Sequence, residues 1–174
     1  MKVIVAISAL LLLGFISSAS ATKIGQPEDR VVRSPNSEYV LHIETKSGRH
    51  EIRKGTKVLW SFARKVWHDN YYLSNDGQSV LWVAWKHVKA DDVEKNEALS
   101  IYSSEGVVSS KTFLEVSKPR HRREKERGPI GDFWRIWRDE KIARKGDVIS
   151  IAVEGTKANF TIDLSKMDKL INTE

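Results

Sequence analysis

A turn followed by an apolar strand recurs in this chain at a spacing of forty residues. The sequence Ser-Pro-Asn-Ser at residues 34–37 precedes the mostly apolar residues VLHI at 40–43, and Ser-Asn-Asp-Gly at residues 74–77 precedes VLWV at 80–83. A fixed period of this length indicates one repeated supersecondary unit, because each unit buries its apolar face against the next. The chain is therefore expected to be an array of similar units.

Segments rich in β-branched and aromatic residues alternate with Gly, Asn, Asp and Ser, which is typical of short strands joined by turns. The predicted strands cover residues 39–44, 49–53, 58–62, 80–85, 99–102, 107–116, 148–153 and 158–164. Residues 80–85 are apolar at every position, which predicts a central strand that is buried on both faces. Residues 49–53 are mostly polar and predict an edge strand. The pattern indicates an all-β fold.

Each unit continues after its apolar strand with a further strand, a glycine turn and another strand. The third copy starts at Lys145-Gly146, sixty-nine residues beyond Asp76 rather than forty. The extra length is explained if the polar stretches 89–97 and 118–131 are insertions between strands. Forty residues is the length of one four-stranded propeller blade.

The sequences SPNSEYVLHI and SNDGQSVLWV, which begin at Ser34 and Ser74, resemble the SPDG turn and strand of WD-type β-propeller repeats. The resemblance implies an incomplete propeller-like array of about three antiparallel blades and a binding or scaffolding surface, and it carries over no catalytic residue. The alternative is a β-sandwich. Because closed propellers use about four to eight blades, the open sheet edges must be covered. Either a compact monomer or a homodimer meets that need.

The first residues form the three-part pattern of a secretory signal peptide. Lys2 precedes an apolar run over residues 3–15, and Ala19 and Ala21 suit signal peptidase, which predicts cleavage after Ala21. Thirteen apolar residues are too few to span a bilayer as a helix, which needs about 20. Residues 1–21 are thus the predicted leader, and residues 22–174 one β domain with a basic loop insertion at 117–131. The expected location is extracytoplasmic, periplasmic or secreted, with no membrane-spanning segment after cleavage.

A basic segment, residues 118–127, reads KPRHRREKER and holds six Lys or Arg and two acids. Repulsion among like charges and the flanking prolines predict an extended loop. Clustered arginines pair with anionic oxygens, so the segment is a candidate contact for a protein partner or an anionic glycan or lipid surface. Nucleic acid is disfavoured by export. The basic candidate residues are Arg120, Arg122, Arg123, Lys125 and Arg127.

Six tryptophans are many for a chain of 174 residues, and two of them follow the basic segment. Exposed Trp stacks on sugar rings or receives an Arg, so Trp134 and Trp137 are predicted as aromatic contacts beside the basic residues. Residues 133–138 are compatible with a strand or with a short helix capped by Asp132.

The chain contains no cysteine, which excludes thiol chemistry and thiolate metal sites. The five histidines lack metal-ligand spacing, although His42 and His50 could face one another across a hairpin. No metal, cofactor or catalytic residue is expected. The predicted function is an exported, non-catalytic binding or scaffold module. The alternative is a hydrolase of cell-envelope polymers, which would require His68, Asp69, Asp92 and Asp132 to converge.

Overall fold

The computed structural model describes residues 27–65, 68–84, 87–89, 96–117, 125–128, 131–135, 142–153, 159–166 and 171–173. In this part of the chain the strands, in order, are β1 (Arg30–Arg33), β2 (Tyr39–Glu44), β3 (Arg49–Lys54), β4 (Lys57–Ala63), β5 (Asn70–Leu73), β6 (Val80–Val83), β7 (His87–Lys89), β8 (Glu97–Ser103) and β9 (Gly106–Thr112). The helix α1 (Phe113–Ser117) follows, and then β10 (Lys125–Gly128), β11 (Gly131–Arg135), β12 (Ile142–Lys145), β13 (Val148–Ala152), β14 (Asn159–Asp163) and β15 (Ile171–Thr173).

Twelve of these strands form three antiparallel sheets of four strands each, which we call blades. Blade 1 is β1-β2-β3-β4, blade 2 is β5-β6-β8-β9, and blade 3 is β12-β13-β14-β15. Strand β1 lies next to β5, and one hydrophobic core contains side chains from all three blades. The expected all-β, incomplete propeller-like array is thus confirmed, and three blades replace the two facing sheets of the sandwich alternative.

The repeated turn has the same geometry in blades 1 and 2. The Ser34 hydroxyl donates to Asn36 Oδ1 at 2.6 Å and accepts from the Tyr39 amide at 3.0 Å. In blade 2, Ser74 donates to Asp76 Oδ1 at 2.6 Å and accepts from the Ser79 amide at 3.0 Å. A serine and an Asx side chain thereby satisfy the turn amides, which explains the recurrence of Ser-x-Asn/Asp.

Strand β6 occupies the centre of blade 2, as the sequence predicts. It pairs with β5 on one side and with β8 on the other. All four of its residues are buried. Trp85, the last residue of the predicted strand, lies outside the described residues.

The prediction of an edge strand over residues 49–53 was wrong. Strand β3 pairs with both β2 and β4, and His50, Glu51 and Ile52 are buried. A polar residue can occupy this inner strand because Arg49 and Arg53 both pair with the Glu51 carboxylate on the open face of blade 1. The two edge strands of blade 1 are β1 and β4, and Leu59 of β4 is 38% exposed.

The first strand of each blade was missing from the sequence-based prediction. Strands β1, β5 and β12 have only four residues each and read RVVR, NYYL and IARK. Such short segments carry too little hydrophobic periodicity to identify a strand. Pairing with the second strand of each blade is what orders them.

The predicted strand over residues 107–116 is a strand only as far as Thr112, and its last four residues are helical. Strand β9 ends at Thr112, and α1 continues from Phe113. The Glu115 carboxylate accepts from the Thr112 amide at 2.6 Å, and the Thr112 hydroxyl accepts from the Glu115 amide at 3.3 Å. This reciprocal arrangement is a capping box, Thr-x-x-Glu, which starts a helix. Phe113 and Val116 anchor the helix in the core.

Candidate functional site

A separate sheet lies at the predicted insertions 89–97 and 118–131, with β10 inside the second stretch and β7 and β11 overlapping the two stretches by one residue each. Strands β7, β10 and β11 pair antiparallel in the order β10-β11-β7, and we call this the insertion sheet. Strand β7 lies between β6 and β8 in the sequence, whereas β10 and β11 lie between blades 2 and 3. Two excursions from the blades therefore meet in one additional structural unit.

Three of the predicted contact residues lie in the insertion sheet. The register places Lys125 opposite Trp134 and Arg127 opposite Asp132. Opposite residues in an antiparallel pair share one face of the sheet, and residues two apart on a strand share it as well. Lys125, Arg127, Asp132 and Trp134 are thus on one face. Arg120, Arg122, Arg123 and Trp137 lie outside the described residues.

Two expectations about this segment change. Residues 125–128 were predicted as part of an extended loop but form strand β10, because β11 supplies the pairing partner. Of the two alternatives for residues 133–138, the strand is correct over residues 133–135, which belong to β11. Residues 136–138 lie outside the described residues, as does the predicted leader, so cleavage after Ala21 stays a prediction.

The turns between the first and second strands of the three blades are joined by hydrogen bonds. In blade 1, the Asn36 amide donates to Asn75 Oδ1 at 2.8 Å, and the Asn36 side-chain amide donates to the Asn75 carbonyl at 2.9 Å. The Asn75 amide of blade 2 in turn donates to Asp147 Oδ1 of blade 3 at 2.7 Å. This line of contacts fixes the blades relative to one another at one end of the array.

Blades 1 and 2 meet through aromatic rings, and we call this contact the first joint. Phe62 of blade 1 stacks on Tyr102 of blade 2, with ring centroids 4.3 Å apart. His50 stacks on Phe62 at 4.5 Å and lies 5.0 Å from the Tyr71 ring of blade 2. His50, Tyr71 and Tyr102 are all buried. The first joint is therefore packed with aromatic rings, three of which carry a polar atom, rather than with aliphatic side chains.

Arg64 fastens the first joint. Its guanidinium lies 3.3 Å above the Trp82 ring, pairs with Glu97 at 2.7 Å and donates to the Tyr102 hydroxyl. All three partners belong to blade 2, while Arg64 directly follows β4 of blade 1. The planar guanidinium suits simultaneous stacking and hydrogen bonding.

Two further arginines approach β5 from opposite sides. Arg30 of blade 1 donates to the Asp69 carbonyl at 2.9 Å and lies 5.4 Å from the Tyr71 ring. Arg144 of blade 3 donates to the Leu73 carbonyl at 2.5 Å and lies 5.9 Å from the Tyr72 ring. Burial lowers the pKa of Arg144 from its usual value. Each neighbouring blade thus contacts β5 with one cation from its own first strand.

The residues of the hydrolase alternative are only partly described. His68 and Asp69 directly precede β5, and Asp69 is 5% exposed. Asp132 belongs to β11, and Asp92 lies outside the described residues, so their convergence is untested. Among the described residues, no group of three or more His, Asp or Glu side chains is placed to hold a metal ion.

His42 and His50 do not face one another. The register pairs His50 with Ile43 and His42 with Glu51, so that the two imidazoles lie on opposite faces of blade 1. The role of His50 in the first joint was missed, and so was that of Arg64. Only the charged pair Arg64-Lys65 at the end of a strand could have pointed to Arg64, because its partners are 33 and 38 residues away in the sequence.

No family model matches the chain, and no curated protein matches it. Among solved structures it is similar to Kluyveromyces lactis Hsv2, with 13% identity and a TM-score of 0.43, over 83% of this chain and 45% of that one. It is also similar to the β-propeller domain of Cps50 (Swd1) from Myceliophteria thermophila, with 11% identity and a TM-score of 0.36, over 83% of this chain and 41% of that one. The chain therefore spans less than half the length of either structure. No helix in the described ranges is long and apolar enough to cross a membrane.

Proposed function

We propose that the protein is an extracytoplasmic, non-catalytic binding module that uses its insertion sheet to contact an anionic macromolecular surface. The observation that carries the proposal is the register of β10 and β11. It brings two cations of the basic segment, Lys125 and Arg127, onto the same face as Trp134. Cations beside an aromatic residue suit acidic glycans and lipid head groups, which present both anionic oxygens and apolar C–H surface.

The three blades supply the rigidity that such a surface requires. The hydrogen bonds from Asn36 through Asn75 to Asp147 and the shared core hold the array as one support. Loops and insertions on a rigid β scaffold are common positions for binding residues. The net charge of +6 favours an anionic partner through long-range attraction.

The test measures retention of the purified protein on immobilised heparin and on vesicles of phosphatidylcholine with phosphatidylglycerol. The double variant Lys125→Gln/Arg127→Gln is expected to bind about tenfold more weakly, since each exposed contact is worth about 0.7 kcal/mol. The matched control is Lys46→Gln/Lys57→Gln, which removes the same charge from exposed positions of blade 1.

Each outcome of this test has a defined meaning. Loss on heparin alone identifies a glycan surface, and loss on vesicles alone identifies a lipid surface. Equal weakening of both double variants would show that only net charge matters, and the proposal would be wrong. The location is tested separately by the mass of the protein recovered outside the cytoplasm, where Thr22 is the expected N-terminus.

A further inference from the structure

The imidazole of His50 is enclosed in the first joint. The residue has no exposed surface, and its ring lies between Phe62 of its own blade and Tyr71 of blade 2. The Phe62 ring continues the stack onto Tyr102. Any change in the charge of this imidazole therefore acts directly on the contact between two blades.

The hydrogen bonding of His50 shows which ring nitrogen carries the first proton. Its Nδ1 lies 3.0 Å from the Gly48 carbonyl oxygen. A carbonyl only accepts, so Nδ1 carries a hydrogen, and Nε2 is the nitrogen that a second proton would occupy. In the described part of the chain, buried Nε2 has no hydrogen-bond partner. The joint is built for the neutral imidazole.

The charges around His50 oppose a second proton. Arg64, after β4, and Arg30, in β1, both disfavour the imidazolium electrostatically. From blade 2, Tyr71 of β5 and Tyr102 of β8 face the stack, and burial raises the pKa of the Tyr71 phenol, which keeps it neutral. Of the acids of blade 2 near the joint, Glu97 is held by Arg64, and Asp69 interacts with Tyr71.

His50 is also connected to the fastening at Arg64. The Gly48 carbonyl that accepts from Nδ1 accepts from the Arg64 amide at 2.8 Å as well. The Arg64 side chain then reaches Glu97, Tyr102 and Trp82 of blade 2. Displacement of the imidazole would therefore disturb the residue that binds the two blades together.

We propose that the first joint is an acid-sensitive hinge, in which protonation of His50 separates blade 1 from blade 2 while blade 3 remains packed on blade 2. The second joint, between blades 2 and 3, contains Arg144 and Asp147 but no histidine among its described residues.

The direction of the pH effect follows from burial. Removal from water lowers the pKa of His50 from 6.5 to about 4 in the closed joint. An opened joint returns the ring to water and to its ordinary pKa, so acid favours the open form. The closed joint keeps its full stability well above pH 6.5, and its equilibrium constant falls by about 160-fold as the pH drops to 4.

The experiment is hydrogen exchange of the whole protein between pH 7 and pH 4, analysed as protection factors for each strand. Amides of β3 and β4 are expected to lose protection at least tenfold more than amides of β13 and β14. The variant His50→Phe, which keeps a ring beside Phe62 and cannot be protonated, is expected to abolish that difference. His42→Gln is the control, because His42 lies on the opposite face of blade 1.

Three results would overturn the proposal. The first is a pH profile of His50→Phe that matches the unmodified protein, and the second is a loss of protection in blade 3 that keeps step with blade 1. The third is an NMR titration in which the His50 ring takes up its proton above pH 6 while the joint stays closed. If His50→Phe does not fold, His50→Met supplies the uncharged replacement, and the titration of the unmodified protein needs no variant.

Discussion

The two joints of the array hold similar blades together by different chemistry. The first joint contains stacked rings, a buried histidine and the ion pair between Arg64 and Glu97. At the second joint, the face of blade 3 that carries Arg144 also carries four buried apolar residues, Ile149, Ile151, Phe160 and Ile162. Aliphatic packing responds little to pH or salt, whereas a polar joint responds to both. Identical strand order thus does not imply identical stability.

The largest expected effect concerns the buried apolar residues of blade 3. Ile149 is completely buried in β13, and Ile149→Ala should lower the free energy of unfolding by about 3 to 4 kcal/mol through lost transfer energy and the cavity left behind. Urea denaturation measures the change. Val107→Ala, at a position 55% exposed on β9, is the control and should change stability by less than about 1 kcal/mol.

The second effect concerns a backbone contact within blade 1, between Gly48 and the Arg64 residue of the first joint. Gly48 has a φ of +69°, and a Cβ there would lie 2.7 Å from the Arg64 carbonyl oxygen. Gly55 has a φ of +59° and open space around it. Gly48→Ala should therefore cost about 3 kcal/mol and Gly55→Ala about 1 kcal/mol, because both meet the strain of positive φ but only the first meets a backbone atom. Equal losses of stability in the two variants would contradict a steric clash between a Cβ at residue 48 and the Arg64 carbonyl oxygen.

The third effect is the salt dependence of the first joint, which contains an ion pair. Arg64→Gln removes the contacts to Glu97 and Tyr102 and should lower the free energy of unfolding by about 1 to 2 kcal/mol. The difference from the unmodified protein should shrink in 1 M NaCl, where exposed charges are screened. A double-mutant cycle with Glu97→Gln isolates the pair, and a coupling of zero would contradict the fastening role.

The smallest effect compares the two joints at the turns. Asn75→Ala removes the acceptor for the Asn36 amide at the first joint, and Asp147→Ala removes the acceptor for the Asn75 amide at the second. Each should cost about 1 kcal/mol, as expected for one net hydrogen bond. Thermal unfolding of both variants measures the loss. No change in either would mean that water replaces these side chains at no cost.

Features that depend on neighbouring residues were better predicted from the sequence than features that depend on distant contacts. The turns at Ser34 and Ser74 and the apolar strand β6 depend on neighbours within a few residues, and all of them were predicted. The inner position of β3 was missed because Glu51 is neutralised by arginines on its own face. The helix α1 was missed although Thr112 and Glu115 carry its signal.

The candidate site divides in the same way. The basic composition of residues 118–127 and the nearby Trp134 were visible in the sequence. Their placement on one face was not, because it requires β10 to pair with β11 in one register. The same holds for β7, which joins β11 from a part of the chain more than forty residues earlier.

By itself the sequence determined the repeating units, the all-β class and the charge of the protein, since alternation, turn residues and composition are properties of short segments. Only the tertiary structure decided which strands lie at an edge, which residues join the blades, and that His50 is buried between them. Those features depend on contacts between residues far apart in the chain, and neither hydrophobic period nor residue type encodes the partner that a side chain will meet.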